Sequence, residues 1–140
     1  MQKIKIKRDK TGETPLFCCV HNEQLFHAES IKELLRISGI KPRIDEEGIA
    51  AITLLGPGRP FGNAVLSGIK ELPPGYSAEY HHGKLKFTQY WKPEAKEHNE
   101  SFEETSATVR QMLTSSVKKS LSGEMNDKCL FLSGGLDSSI

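Results

Sequence analysis

The stretch that most constrains the fold is "CLFLSGGLDSS", residues 129–139. Cys129 to Leu132 are apolar without alternation, the pattern of a parallel strand covered on both faces. Gly134 and Gly135 follow, and without Cβ atoms they let the backbone turn sharply and approach a ligand closely. Asp137-Ser138-Ser139 then opens a helix. Strand, glycine-rich turn and helix start, in that order, make a βα junction at the carboxyl edge of a parallel sheet. Successive N–H groups of such a turn point at one anion. The hydroxyls of Ser133, Ser138 and Ser139 add donors, and the helix brings its positive dipole end. Asp137 repels phosphate oxygens unless a cation lies between them, and its hard oxygens suit Mg²⁺. This is not a Walker loop, because GxxxxGK[ST] is absent.

Upstream the chain reads as β-rich. "KIKIKRD" alternates as a half-exposed strand, and Thr11-Gly12-Glu13 turns it. "PLFCCV" is a buried strand, and "QLFHA" returns as its hairpin partner after His21-Asn22-Glu23. "ESIKELLRISG" has helical spacing and stops at Gly39. "IDEEGIAAITLLG" reads as a second helix, with Asp45 as N-cap and Gly56 as stop. From there to Gly75 the chain is rich in Gly and Pro, with "GPGRPFG" and "LPPG". "YSAEY" and "KLKFTQYW" form another hairpin around His82-Gly83. A polar linker, "KPEAKEHNE", begins near Pro93. Residues 101–123 then form one long helix, with a capping box from Ser101 and Glu104. Phe102, Val109, Leu113, Val117 and Leu121 lie on one stripe of it.

Charge is balanced, with Lys+Arg 19 against Asp+Glu 18. There is no basic run to act as a nucleic-acid footprint, no apolar stretch near the ~20 residues of a membrane span and no signal-peptide h-region. Three cysteines without framework spacing fit a reducing compartment, so the expected location is cytoplasmic. Cys18 and Cys19 are adjacent in a strand, so one of the two is expected to face the core as a small hydrophobe. Cys129 reads the same way. His81-His82 sit in a hairpin turn with no third ligand nearby, which argues against a metal site.

The order SGGxDS resembles the PP-loop of ATP pyrophosphatases. The residues before it resemble the glutamine-hydrolysing asparagine synthetase family. "RDKTGETPLF" is similar to that family's RDRxGxxPLYY, and "FHAESIKELL" to its FASEIKALL. "GIKELPPGY" is similar to its GIKxLPPG, and "KLKFTQYWKP" to its closing hairpin and RRYWxL. The resemblance runs in register over nearly all 140 residues. It implies an α+β fragment: late strands and helices of an Ntn-type glutaminase sandwich, then the first helix and strand of a PP-loop α/β domain. The implied division is 1–92 for the glutaminase part, 93–100 for the linker and 101–140 for the start of the synthetase domain.

In that family glutamine is hydrolysed in the first domain. ATP adenylates the aspartate side chain in the second, and ammonia displaces AMP. Carried over, Ser133, Gly134, Gly135, Ser138 and Ser139 would bind the pyrophosphate of ATP. Asp137 would hold Mg²⁺, and Phe131 and Leu132 would lie on the adenosine side. Arg8 and Asp9 match the family's RD and read as structural. The family's nucleophile is a cysteine at the processed N-terminus with its own α-amine as base. Position 2 here is Gln2, and Cys18 and Cys19 are internal, so no catalytic residue is assigned. On this reading the chain alone is inactive, and it is a truncated gene, a split subunit or an excerpt. Aspartate, glutamine and ATP are the implied substrates, with no nucleic acid or membrane partner. A homodimer and a missing partner chain both stay open. β-Lactam and lasso-peptide macrolactam synthetases share the layout, and a non-catalytic remnant is the other alternative. GMP, NAD and tRNA-thiolating enzymes share the loop but not "RDKTGETPLF" or "GIKELPPG" ahead of it.

Overall fold

The computed structural model describes residues 3–56, 58, 61–122 and 133–136. It divides into two compact units, Met1–Glu94 and Ala95–Ile140.

The first unit is built on two antiparallel three-stranded sheets. Strands β1 (Ile4–Lys7), β5 (Tyr76–His81) and β6 (Lys84–Gln89) form one, in the order β1-β5-β6. Strands β2 (Phe17–His21), β3 (Gln24–Ala28) and β4 (Ile69–Glu71) form the other, in the order β3-β2-β4. Both expected hairpins form, on two-residue turns with positive φ at both central residues. Asn22 and Glu23 have φ 47° and 59°, and His82 and Gly83 have 49° and 75°. Such mirror-type turns match the right-handed twist of the strands they join.

Strand alternation sorts the side chains into layers. Ile6, Ala78 and Tyr80 of the first sheet meet Cys18 and Leu25 of the second, with Leu72 beside them. Leu16, Tyr76, Leu85 and Phe87 complete this layer between the sheets. The other face of the second sheet presents Phe17, Cys19, Ala28 and Ile69. Helix α1 (Ile31–Ser38) covers that face with Leu34, which has no exposed surface. Ser30 caps the start of α1 by accepting from the Glu33 amide at 3.2 Å, and Gly39 ends it at φ 69°. Helix α2 (Glu46–Leu55) starts at Asp45, whose carboxylate accepts from the Gly48 amide at 2.9 Å.

One element was not expected and one expectation needs correction. Within the Gly/Pro-rich stretch Ile69–Glu71 forms β4, with Phe17 opposite Glu71 and Cys19 opposite Ile69. Three residues are too few to show alternation, and the pairing is supplied by β2. Both adjacent cysteines are buried rather than one, because β2 is a central strand with a packed layer on each face.

In the second unit α3 (Phe102–Leu121) has the expected capping box. Ser101 Oγ accepts from the Glu104 amide, and the Glu104 carboxylate accepts from the Ser101 amide at 2.9 Å. Lys118 and Lys119 lie in its last turn, where the dipole favours cations. No residue of α3 is buried. The expected strand at 128–132, and with it Cys129, lies outside the described residues. None of the helices among the described residues is long and apolar enough to cross a membrane.

Candidate functional site

Of the residues assigned to a phosphate loop, Ser133, Gly134 and Gly135 are described. Phe131, Leu132, Asp137, Ser138 and Ser139 lie outside the described residues. The turn at 133–136 is exposed. Gly134 has φ 76°, in the left-handed region where a Cβ is disfavoured. The Gly135 amide donates to Ser133 Oγ at 3.4 Å, which curls the hydroxyl back over the turn. The amide of Gly135 and the hydroxyl of Ser133 are thus engaged with each other in an exposed turn.

The other polar centre is the end of β1. Arg8 is only 8% exposed. Its guanidinium donates to the carbonyls of Thr14 at 3.0 Å and Leu72 at 2.7 Å, and to Glu71 Oε1 at 3.0 Å. It therefore ties the exit of the first sheet to the end of β4 in the second. Asp9 organises the turn that follows. Its carboxylate accepts from the amides of Gly12, Glu13 and Thr14, and from the amide and hydroxyl of Thr11. Desolvation pushes its pKa upward, but these donors outweigh it and bring the carboxyl down to about 2. Gly75 closes the corner: its amide donates to the Asp9 carbonyl at 2.9 Å, and its carbonyl accepts from the amides of Tyr90 and Trp91. The described hydrogen bonds of the Arg8 and Asp9 side chains all run to the chain itself. The pair is architecture, as its sequence context suggested. The partner Glu71 was not legible, because it lies 63 residues away and the local sequence carries no sign of it.

The cysteines of β2 are unsuited to nucleophilic work. Burial raises the Cys18 thiol to about 12, with the neighbouring Cys19 adding and Lys70 opposing. Burial also raises Cys19, against a hydrogen bond with Ser38. A nucleophile needs the thiolate, and both stay protonated at neutral pH. His81 and His82 stack edge-on at 3.9 Å, and no group of three or more metal-ligating side chains forms among the described residues.

Residues 1–91 match a family model described as the glutamine amidotransferase domain. The chain belongs to that family. This amidotransferase-family chain is also 36% identical over 132 residues to "Asparagine synthetase [glutamine-hydrolyzing] 3" of Bacillus subtilis (strain 168). The match takes in 94% of this chain and 21% of that protein, so the chain spans about a fifth of its relative's length. A span of 132 residues in a chain of 140 necessarily contains all of α3. The similarity therefore continues past the amidotransferase match into the second unit.

Proposed function

We propose that this chain is part of an ATP-dependent, glutamine-hydrolysing amide ligase of the asparagine synthetase kind. The observation that carries the reading is the continuity of the similarity: one relative matches both the amidotransferase part and α3, which leads towards the SGGLDSS loop. In the proposed reaction a carboxylate, with aspartate as the preferred acceptor, is activated by transfer of AMP from ATP, and pyrophosphate leaves. Ammonia released from glutamine then displaces AMP and forms the amide.

Within this chain the proposed work is done at 133–139. Ser133 and the amides of Gly134 and Gly135 hold the pyrophosphate portion, joined by the hydroxyls of Ser138 and Ser139. Mg²⁺, when bound at Asp137, neutralises charge on the phosphates. Phe131 and Leu132 flank the adenosine. The exposure of the turn and the left-handed Gly134 support this assignment, since without a Cβ the backbone there can be approached closely. The first unit, with both its thiols protonated and its Arg8–Asp9 corner internally satisfied, serves as scaffold for the glutamine-hydrolysing part.

Calorimetric titration of the chain with Mg·ATP and with Mg·pyrophosphate tests the loop assignment. Saturable binding is expected for both, weakened at least about tenfold by Gly134→Ala, which places a Cβ on a left-handed residue. Binding that Gly134→Ala leaves unchanged, or no binding of either ligand, contradicts it. The acceptor is tested by replacing the matching segment of the Bacillus subtilis relative with this chain and assaying glutamine-dependent amide formation. Activity with aspartate supports the reading, and activity only with another carboxylate moves the chain to a sister amide synthetase.

A further inference from the structure

The outer face of the β1-β5-β6 sheet carries a field of lysines. The inner face holds Ile6, Ala78, Tyr80, Leu85 and Phe87. By alternation the outer face takes Lys5 and Lys7 from β1, Glu79 from β5, and Lys84 and Lys86 from β6. Lys3 joins them, since Lys3 and Lys5 both reach the Glu79 carboxylate at 3.1 Å. All of these lysines are exposed. Among the described residues no ion pair engages Lys7, Lys84 or Lys86. The Lys7 ammonium lies over the Tyr90 ring at 4.0 Å, which leaves its charge in place. A single glutamate thus answers the whole field, on a chain whose net charge is only +1.

The arrangement says what kind of partner fits. Along β1 and along β6 the lysines stand about 6.8 Å apart, and the two rows lie roughly 9.6 Å apart. The charge is therefore spread over an area rather than along a line. A duplex backbone meets a sheet along a line, whereas a bilayer meets it over an area. Every cation of the face is a lysine, a hydrated point charge on a flexible stem. Arginine, whose planar fork grips one phosphate at two points, is absent from it. The aromatic side chains of these strands, Tyr76, Tyr80 and Phe87, belong to the inner layer, so the face has no platform on which bases stack. A wide field of ammoniums suits a partner whose own charge is spread over a plane. Docking through charge needs neither a long apolar span nor a basic run. The expectation of no membrane partner came from chain-wide features of that kind.

We propose that the lysine face of the β1-β5-β6 sheet docks on an anionic lipid surface as a reversible peripheral contact. Lys3, Lys5, Lys7, Lys84 and Lys86 carry it, and the flexible stems level out the twist of the sheet. Glu79 offsets one of these charges. Near an anionic surface each lysine strengthens binding roughly fivefold, and the attraction falls off within a Debye length. The contact is electrostatic throughout, because the apolar side chains of the sheet are turned inward. It is independent of the proposed ligase chemistry, which uses none of these residues.

Co-sedimentation of the full chain with lipid vesicles tests this. Vesicles of phosphatidylcholine with about 30% phosphatidylserine are expected to carry the chain down at about 50 mM salt and to release it at about 500 mM, where charges screen within a few ångströms. Vesicles of phosphatidylcholine alone should leave it in solution. Lys84→Gln/Lys86→Gln is expected to weaken binding about twentyfold, the product of two lysines at roughly fivefold each. Lys32→Gln/Lys41→Gln changes the net charge equally at exposed lysines outside the face, and should weaken binding less than about threefold. Circular dichroism of both variants, unchanged from the parent, excludes misfolding as the cause. No binding to the phosphatidylserine vesicles at low salt overturns the proposal. Equal binding to both kinds of vesicle also overturns it, and assigns the contact to exposed apolar residues of α2 or α3. Equal losses in the two variants overturn it in favour of net charge. Tighter binding to a DNA duplex than to the anionic vesicles in the same buffer assigns the face to nucleic acid instead.

Discussion

Strand β2 and helix α3 show two different ways in which a sequence holds an element. Phe17, Cys18 and Cys19 are buried on both faces of β2, while α3 runs for 20 residues with none buried. β2 is short, and its place is fixed by β3, β4, α1 and the opposite sheet. α3 is specified by signals within itself: a reciprocal cap, acidic residues in the first turn and lysines in the last. Phe102 is 82% exposed and Val109, Leu113 and Val117 are each about half exposed. Burial specifies the first unit and local capping specifies the helix. The proposed nucleotide turn lies in the second unit and is exposed.

If that contrast is right, mutations in the layers should destabilise the first unit without touching α3. Leu34→Ala removes a side chain with no exposed surface from the layer under α1. A loss of about 3 kcal/mol is expected from transfer and cavity terms together. Urea unfolding followed by tryptophan fluorescence of Trp91 would report it, and an equal loss of α3 helicity would break the comparison. Arg8→Ala comes next, at about 2–3 kcal/mol. It removes the buried ion pair to Glu71 and the donor to the Leu72 carbonyl. Arg8→Lys should recover only part of this, since one ammonium cannot reproduce the guanidinium fork.

Ser101→Ala addresses the other side of the comparison. Loss of the cap should cost about 1 kcal/mol, confined to α3 and visible as fraying in helix-sensitive spectra. The smallest effect concerns acid. Asp9 titrates at about 2 in the folded chain against an ordinary 3.8, so its folded pKa is depressed. Its contribution is therefore complete above pH 3.8 and drains away as pH falls towards 2. Asp9→Asn should flatten the dependence of the urea midpoint on pH in that window and leave it unchanged between pH 5 and 7.

Much of the fold was legible because it is locally written. The two mirror-type hairpins, the stop of α1 at Gly39, the caps of α2 and the capping box of α3 all depend on residues within a few positions of each other. What was not legible depends on pairing at a distance. β4 exists because Ile69–Glu71 lies along β2, and nothing in "GIKELPPG" says so without its partner. The depth of both cysteines follows from a layer on each face of one strand. Arg8 could be read as structural, but its counterpart Glu71 could not. For the candidate site, Gly134 adopts the left-handed conformation that a turn built on adjacent glycines invites. The role of the turn rests on chemistry that the sequence names and binding must test.

Hydrogen exchange of the full chain with and without Mg·ATP tests the central claim most directly. Slowed exchange at the amides of Gly134 and Gly135, with the strands of the first unit unchanged, is the result expected of a phosphate loop in the exposed turn of the second unit. Unaltered exchange at those two amides, or protection confined to the first unit, would contradict it.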